Sequence, residues 1–97
     1  MIIVNQNKES ILNFDNTTTI RIDKQRENYE IVARVNNGHF ATLGEYATKE
    51  RAKEVLQEII KTYIESKKVQ EATSIFGFSI LPSNTYYEMP KEWRKWI

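Results

Sequence analysis

The stretch that decides the fold is TKERAKEVLQEIIKTYIESKK, residues 48–68. Thr48 occupies an N-cap position, and Glu50 places a negative charge in the first turn, at the positive end of the helix dipole. Lys67 and Lys68 place positive charge where such a helix should end. We therefore predict one amphipathic helix over residues 48–70. Its apolar residues recur at steps of three and four, the period of one helix face: Ala52, Val55, Leu56, Ile59, Ile60, Tyr63 and Ile64.

The residues before this helix predict the sheet that its apolar face needs. Apolar and polar residues alternate, or β-branched residues cluster, in five short stretches: 2–5, 11–14, 17–23, 29–35 and 40–46. Asn36-Asn37-Gly38 is a turn signal, and Gly44 is a candidate β-bulge. Five strands joined by short turns predict an antiparallel meander covered by the long helix, so the expected fold class is α+β.

The C-terminal part has a different character. Residues 86–89 should be extended because Met89 precedes a proline, and Pro90 can open a short terminal helix. We expect one domain over residues 1–97, with a sheet in 1–46, the main helix in 48–70 and an aromatic segment in 75–97.

Composition excludes several classes of protein. The chain has 14 basic and 13 acidic residues, which argues against a DNA-binding protein. It has no cysteine and one histidine, so we expect neither a metal site nor a cofactor. No apolar run approaches the ~20 residues that span a bilayer, and the N-terminal apolar run is too short for a signal peptide. An intracellular protein without a membrane partner is the expectation.

Catalytic signatures are missing from the pattern. His39 follows a hairpin turn and should face solvent, and the three glycines stand too far apart for a phosphate loop. Glu54 and Glu58 fall on the polar face of the helix, where surface charge is the simpler interpretation. The sequence predicts a protein that is not an enzyme.

Aromatic residues concentrate in the last part of the chain. Residues 76–97 hold two phenylalanines, two tyrosines and both tryptophans. They could cover one end of the core, or they could anchor an interface, where aromatic residues are enriched. Trp93 and Trp96 lie three residues apart on the predicted terminal helix and share a face, which favours a homo-oligomer interface.

The arginines have two interpretations as well. They could be solvated surface charges, or they could bind phosphate in a bidentate manner, with a nearby ring stacking on a purine. An amide in the turn before Tyr86 could read a base edge. The candidate ligand-binding residues are Arg21, Arg26, Phe76, Asn84 and Arg94.

Four segments together carry a family resemblance. They are Ile3-Val4-Asn5, Ile11-Leu12-Asn13-Phe14-Asp15-Asn16, Leu43-Gly44-Glu45-Tyr46-x-Thr48-x-Glu50-x-Ala52-x-Glu54-Val55-Leu56-x-Glu58-Ile59, and Tyr87-Glu88-Met89-Pro90-Lys91-Glu92. In this order the chain is similar to short proteins of phages and mobile elements of Gram-positive bacteria. Within that group it resembles the first-described Thoeris anti-defence family.

The resemblance implies a function that the residues alone do not. Members of that family act as sponges that sequester the cyclic ADP-ribose signal of the host Thoeris system without cleaving it, and some also hold cyclic oligonucleotides. The resemblance implies an N-terminal antiparallel sheet, C-terminal helices, a dimer or a multiple of dimers, ligand pockets at the interface, and the host bacterial cytoplasm as location. An inhibitor that binds another host defence protein is the alternative, and a minor structural or regulatory phage component is the third hypothesis.

Overall fold

The computed structural model describes residues 1–36, 38–76 and 86–91. Helix α1 spans Lys49–Phe76, and a short 3-10 helix, Phe14–Asn16, links the second strand to the third. The predicted α+β class is confirmed, with one long helix packed on antiparallel strands. The described strands are β1 (Ile2–Val4), β2 (Ile11–Asn13), β3 (Thr17–Gln25), β4 (Asn28–Val35), β5 (Phe40–Tyr46) and β6 (Tyr86–Glu88).

The strands divide between two sheets, whereas the sequence pattern predicts a single meander of five. One sheet has the order β3-β4-β5 and is antiparallel throughout. The other has the order β2-β1-β6, in which β1 is antiparallel to β2 and parallel to β6. The division occurs at Asn13, whose side-chain Oδ1 accepts a hydrogen bond from the Asp15 N–H at 3.1 Å. This local bond favours the 3-10 helix over continued pairing, so β3 begins a new sheet.

Two side chains join the sheets where β1 ends. Asn5 Nδ2 donates to the Thr42 carbonyl at 3.1 Å, and the Gln6 N–H donates to the Leu43 carbonyl at 2.9 Å. The side-chain amide of Gln6 bonds to the Glu45 backbone as a neighbouring strand residue would. Its Oε1 accepts from the Glu45 N–H at 2.8 Å, and its Nε2 donates to the Glu45 carbonyl at 3.0 Å. The outer edge of β5 is therefore closed by the segment that follows β1.

Strand β5 contains the predicted bulge. Ile31 lies opposite Gly44, but the next residue of β4, Val32, lies opposite Thr42, so Leu43 is the extra residue. A Cβ atom on Gly44 would lie 3.1 Å from Tyr46 Oη and 3.3 Å from Met89 Cε. Glycine at this position lets a fully buried tyrosine pack across the bend.

The helix begins as predicted but ends later. Thr48 Oγ1 accepts from the Arg51 N–H at 3.1 Å, which confirms the N-cap. The helix continues through Lys67 and Lys68 to Phe76, six residues beyond the predicted end at residue 70. The lysine pair is therefore not a stop signal. No glycine or proline interrupts the sequence between Thr48 and Gly77, so nothing in the chain breaks the helix earlier.

One face of α1 packs on the inner face of the β3-β4-β5 sheet. Ala52, Val55 and Ile59 are fully buried there, whereas Ile60 and Ile64 are 39% and 48% exposed. The apolar stripe predicted on α1 thus includes residues that remain partly exposed to solvent. The buried core comprises Met1, Ile3, Ile31, Ala33, Leu43, Tyr46, Ala52, Val55, Ile59 and Met89. Burying each large aliphatic side chain contributes about 1.5–3 kcal/mol.

Polar contacts connect α1 to the 3-10 helix and to strand β6. Asp15 lies 3.2 Å from Lys67 Nζ and 3.5 Å from the N-terminal ammonium. Burial raises the pKa of the Asp15 carboxyl, but the hydrogen bond to Lys67 and the two positive charges outweigh it, and the pKa falls below its usual value. On β6, the Tyr87 hydroxyl donates to Glu58 Oε2 at 2.6 Å. Burial, followed by this bond to a carboxylate, raises the pKa of Tyr87.

The predicted extended conformation of residues 86–89 is confirmed for Tyr86–Glu88, which form β6. The terminal helix predicted to start at Pro90 falls largely on residues 92–97, which lie outside the described ranges, as do residues 77–85 of the aromatic segment.

Candidate ligand-binding site

The outer face of the β3-β4-β5 sheet carries a cluster of arginine and aromatic side chains. The inner face holds Ile20, Ile31 and Ala33, so the residues between them face outward. On this outer face Arg21 of β3 lies opposite Val32 of β4, and Arg34 of β4 lies opposite Phe40 of β5. The cluster therefore draws one side chain from each strand of the sheet.

Phe40 is the centre of the cluster. Its ring is 54% exposed, although large aromatic side chains usually contribute to cores. The Arg21 Cζ lies 4.9 Å and the Arg34 Cζ 5.7 Å from the ring centroid, within the range of cation–π contacts. Arg21 and Phe40 stand on the two outer strands and meet above the central one, which accounts for the 7% exposure of Val32.

The two guanidinium groups differ in what else they bind. Arg21 Nε donates to Asp23 Oδ1 at 2.8 Å, and this ion pair orients the guanidinium along the strand. Arg34 forms no ion pair with any residue that the structure describes. Its positive charge is therefore the one that an incoming anion can use without displacing a carboxylate.

The opposite end of the same face is acidic. Glu30 and Glu45 lie directly opposite each other on β4 and β5, and Asp23 flanks Glu30 on β3. Burial raises the pKa of the Glu30 carboxyl, and the hydrogen bond and charge of Glu45 and the charge of Asp23 raise it further. The face is thus polarised along the strands, so an anion is attracted toward Arg34 and Phe40 and repelled from Glu30.

Of the predicted ligand-binding residues, Arg21 and Arg26 lie in the described part with their side chains, and the structure places them apart. Arg21 belongs to the cluster. Arg26 lies in the two-residue turn between β3 and β4, with φ +55°, roughly 17 Å of strand beyond Arg21. Phe76 is the last residue of α1, and its side chain lies outside the described part, as do Asn84, Arg94 and the predicted interface residues Trp93 and Trp96.

The aromatic partner of the arginines is one that sequence reasoning missed. Among the aromatic residues of the C-terminal part, Tyr87 hydrogen-bonds to Glu58 on the helix, and Tyr86 is exposed on β6. Phe40 was counted only as the first residue of a strand. Strand periodicity could have found it, because Phe40 and Thr42 share the face opposite to Ala41.

Two of the surface clefts are lined by described residues that do not belong to this cluster. One has a volume of about 340 Å³ and is lined by Leu12, Asn13, Asn16, Val35 and Asn36, where the 3-10 helix meets the end of β4. The other, about 380 Å³, follows the solvent face of α1 beside Ile60 and Ile64. His39 is exposed, as predicted for a residue after a hairpin turn, and it follows the turn at Asn36 that lines the first cleft.

Comparisons with family models, with curated proteins and with solved structures find no match to this chain. Within residues 1–36, 38–76 and 86–91, no three acidic or histidine side chains are placed to share a metal ion. In the same part of the chain, no helix has the length and hydropathy required to cross a bilayer.

Proposed function

We propose that the protein binds an anionic, ring-containing ligand of the nucleotide class and releases it chemically unchanged. The observation that carries this proposal is the placement of the Arg21 and Arg34 guanidinium groups around the exposed Phe40 ring. Arginine matches phosphate oxygens in a bidentate manner, and an exposed ring offers a stacking surface that every nucleobase can use.

The finer identity of the ligand follows from the family resemblance. We propose a cyclic nucleotide immune signal, either an isomer of cyclic ADP-ribose or a cyclic oligonucleotide, that a phage protein sequesters in the cytoplasm of its bacterial host. The working form is a dimer or a multiple of dimers with pockets at the interface. In this proposal Arg34 neutralises a phosphate, Phe40 stacks on the base, and Arg26, Phe76, Asn84 and Arg94 remain candidates for further contacts.

Sequestration sets a demand on affinity. A protein that removes a signal at low concentration has to bind it at about nanomolar Kd, which corresponds to about −12 kcal/mol. One base stacked on Phe40 supplies roughly 1–3 kcal/mol, so the cluster alone is insufficient. Most of the affinity must come from additional contacts, and a second copy of the chain is the simplest source of them.

Titration calorimetry tests the proposal directly. Cyclic ADP-ribose isomers and a cyclic dinucleotide are titrated into the wild-type protein, and we expect saturable binding of at least one of them. Phe40→Leu removes the stacking ring but keeps an apolar side chain, and Arg34→Gln removes the charge. Each should weaken binding by about fivefold to thirtyfold, because one stack or one charge-assisted contact contributes about 1–2 kcal/mol.

Arg51→Gln is the matched control, because Arg51 pairs with Glu54 on the helix, away from the cluster. Mass spectrometry of the ligand recovered after heating the complex should show it intact. Absence of heat with every isomer and with the cyclic dinucleotide contradicts the proposal.

Arg94→Ala tests the phosphate contact predicted near the C-terminus, and unchanged affinity removes Arg94 from the site.

A second candidate function is inhibition of a host defence protein by direct binding. The observation in its favour is the exposed pair Ile60 and Ile64 beside the cleft on α1. Two solvent-facing isoleucines on one helix face are suited to a protein partner. A host protein recovered by wild-type bait and lost with Ile60→Ser/Ile64→Ser, together with no heat from any cyclic nucleotide, would favour this function.

A further inference from the structure

The two outer edges of the β3-β4-β5 sheet differ in whether another described part of the chain bonds to them. The edge of β5 is closed by Asn5 and Gln6, which bond to the backbone of residues 42–45 at 2.8–3.1 Å. The outer edge of β3 pairs with no other strand among the residues that the structure describes. In an antiparallel ladder alternate residues direct their N–H and C=O groups away from the neighbouring strand, so β3 presents a row of such groups.

Part of the open edge is regular enough to pair with another chain. The register shift of β3 lies at Thr17/Thr19, and residues 19–25 continue the ladder without another shift and contain no proline. Their charged residues, Arg21, Asp23 and Lys24, include both signs, so a strand of complementary charge can add to this edge. At nine residues, β3 is also the longest strand of the molecule among those described.

We infer that β3 pairs antiparallel with β3 of a second copy of this chain, in the register that places Arg21 opposite Asp23 of the second copy. Charge complementarity selects this register. With the two-fold axis at Ile22, Arg21 of each copy lies opposite Asp23 of the other, next to the Arg21–Asp23 ion pair within each strand, so the four charges alternate in sign. Opposite charges in directly opposed positions stabilise a strand pair. With the axis at Arg21 or at Asp23, two like charges would oppose each other, and with the axis at Ile20, Arg21 and Asp23 would each oppose a threonine.

This pairing joins two three-stranded sheets into one of six strands. Two-fold symmetry makes the interface self-complementary, so each copy contributes the same edge. The outer face then becomes continuous, and the two Phe40 clusters lie on it, with the backbone of Arg21 in each copy one residue from the axis. The inference does not depend on the ligand. It concerns an interface different from the one predicted at Trp93 and Trp96.

Charge exchange across the interface provides the test. Analytical ultracentrifugation of the wild-type chain should show a monomer–dimer equilibrium. Asp23→Arg opposes Arg21 with a like charge, and Arg21→Asp opposes Asp23 with one; each should raise the dimer Kd by about tenfold or more. The double variant Arg21→Asp/Asp23→Arg restores both opposite-charge pairs and should return the Kd toward the wild-type value. Lys53→Glu, on the exposed face of α1, is the control and should leave the Kd unchanged.

Cross-linking fixes the register independently. The natural chain has no cysteine, so Thr19→Cys and Gln25→Cys each introduce a single thiol. In the inferred register residue 19 faces residue 25 of the second copy, so a mixture of the two variants should form a disulfide-linked dimer that neither variant forms alone. A wild-type chain that stays monomeric, a dimer indifferent to both charge reversals, or a mixture that cross-links no better than its components overturns the inference.

Discussion

At the scale of single residues, Glu30 makes the stability of the protein depend on pH. Its carboxyl lies opposite Glu45, and its pKa is raised by burial and by the neighbouring carboxylates. The folded state therefore holds this proton more tightly than the unfolded state, so the contribution of Glu30 to stability is most favourable at acidic pH and falls as the pH rises above the usual glutamate value.

Glu30→Gln should consequently raise the melting temperature at pH 7 by about 1–8 °C, because like charges in opposed strand positions cost about 0.2–1 kcal/mol. At pH 4 the same substitution should have little effect, since the carboxyl is already protonated in the folded protein. Differential scanning calorimetry at both pH values measures this. Glu27→Gln, in the exposed turn, is the control, and an equal gain at both pH values contradicts the explanation.

The sequence predicted residues whose role is local. Thr48 caps the helix and Gly44 lies at the bulge, because an N-cap or a bulge depends on a few neighbouring residues. Arg21 is predicted from the chemistry of its side chain, but its ring partner Phe40 is not predicted. Phe40 becomes an arginine partner only through the register of three strands, which no local pattern specifies.

At the scale of elements, the join between the two sheets depends on Gln6. Its side chain makes three hydrogen bonds to backbone groups, two to Glu45 and one to the Pro90 carbonyl at 3.2 Å. Gln6→Ala should lower the free energy of unfolding by about 1–2 kcal/mol, since a typical hydrogen bond contributes about 0.5–1.5 kcal/mol and water partly replaces those at this exposed site.

Urea unfolding measures that loss. Gln6→Glu keeps the acceptor for the Glu45 N–H but removes the donor and adds a negative charge beside two carbonyl oxygens, so it should not rescue stability. Asn7→Ala is the control, because the Asn7 side chain bonds only within its own turn, to the Glu9 N–H at 2.9 Å. A loss with Gln6→Ala no larger than that with Asn7→Ala would show that the join is not important for stability.

Element pairing also explains why the two-sheet arrangement was not predicted. Each strand has a clear local pattern, but the parallel pairing of β1 with β6 brings Ile2 opposite Tyr86, at the two ends of the chain. Such a contact has no signature in sequence spacing. The length of α1 was underestimated for a related reason, because charge near a helix end is a weak signal compared with the absence of a breaking residue.

At the scale of the whole molecule, amide hydrogen exchange should separate the two edges of the β3-β4-β5 sheet. The central strand β4 should be the most protected, because Ile31, Val32 and Ala33 are buried and paired on both sides. The Glu45 N–H, on the closed edge, is bonded to Gln6 within the chain, so its protection should not depend on protein concentration. Among the residues that the structure describes, no strand of the same copy pairs with the outward-directed amides of β3, and they should exchange quickly in dilute solution.

If two copies pair through β3, those amides acquire partners, and their protection should increase as the protein concentration is raised. Each tenfold slowing of exchange corresponds to about 1.4 kcal/mol of added protection. In Asp23→Arg the concentration dependence should disappear from β3 while the protection of β4 and of Glu45 stays as in the wild-type chain. Protection of β3 that stays low at all concentrations would mean that its open edge remains unpaired, and the exposed Phe40 cluster of each copy would then have to bind its ligand alone.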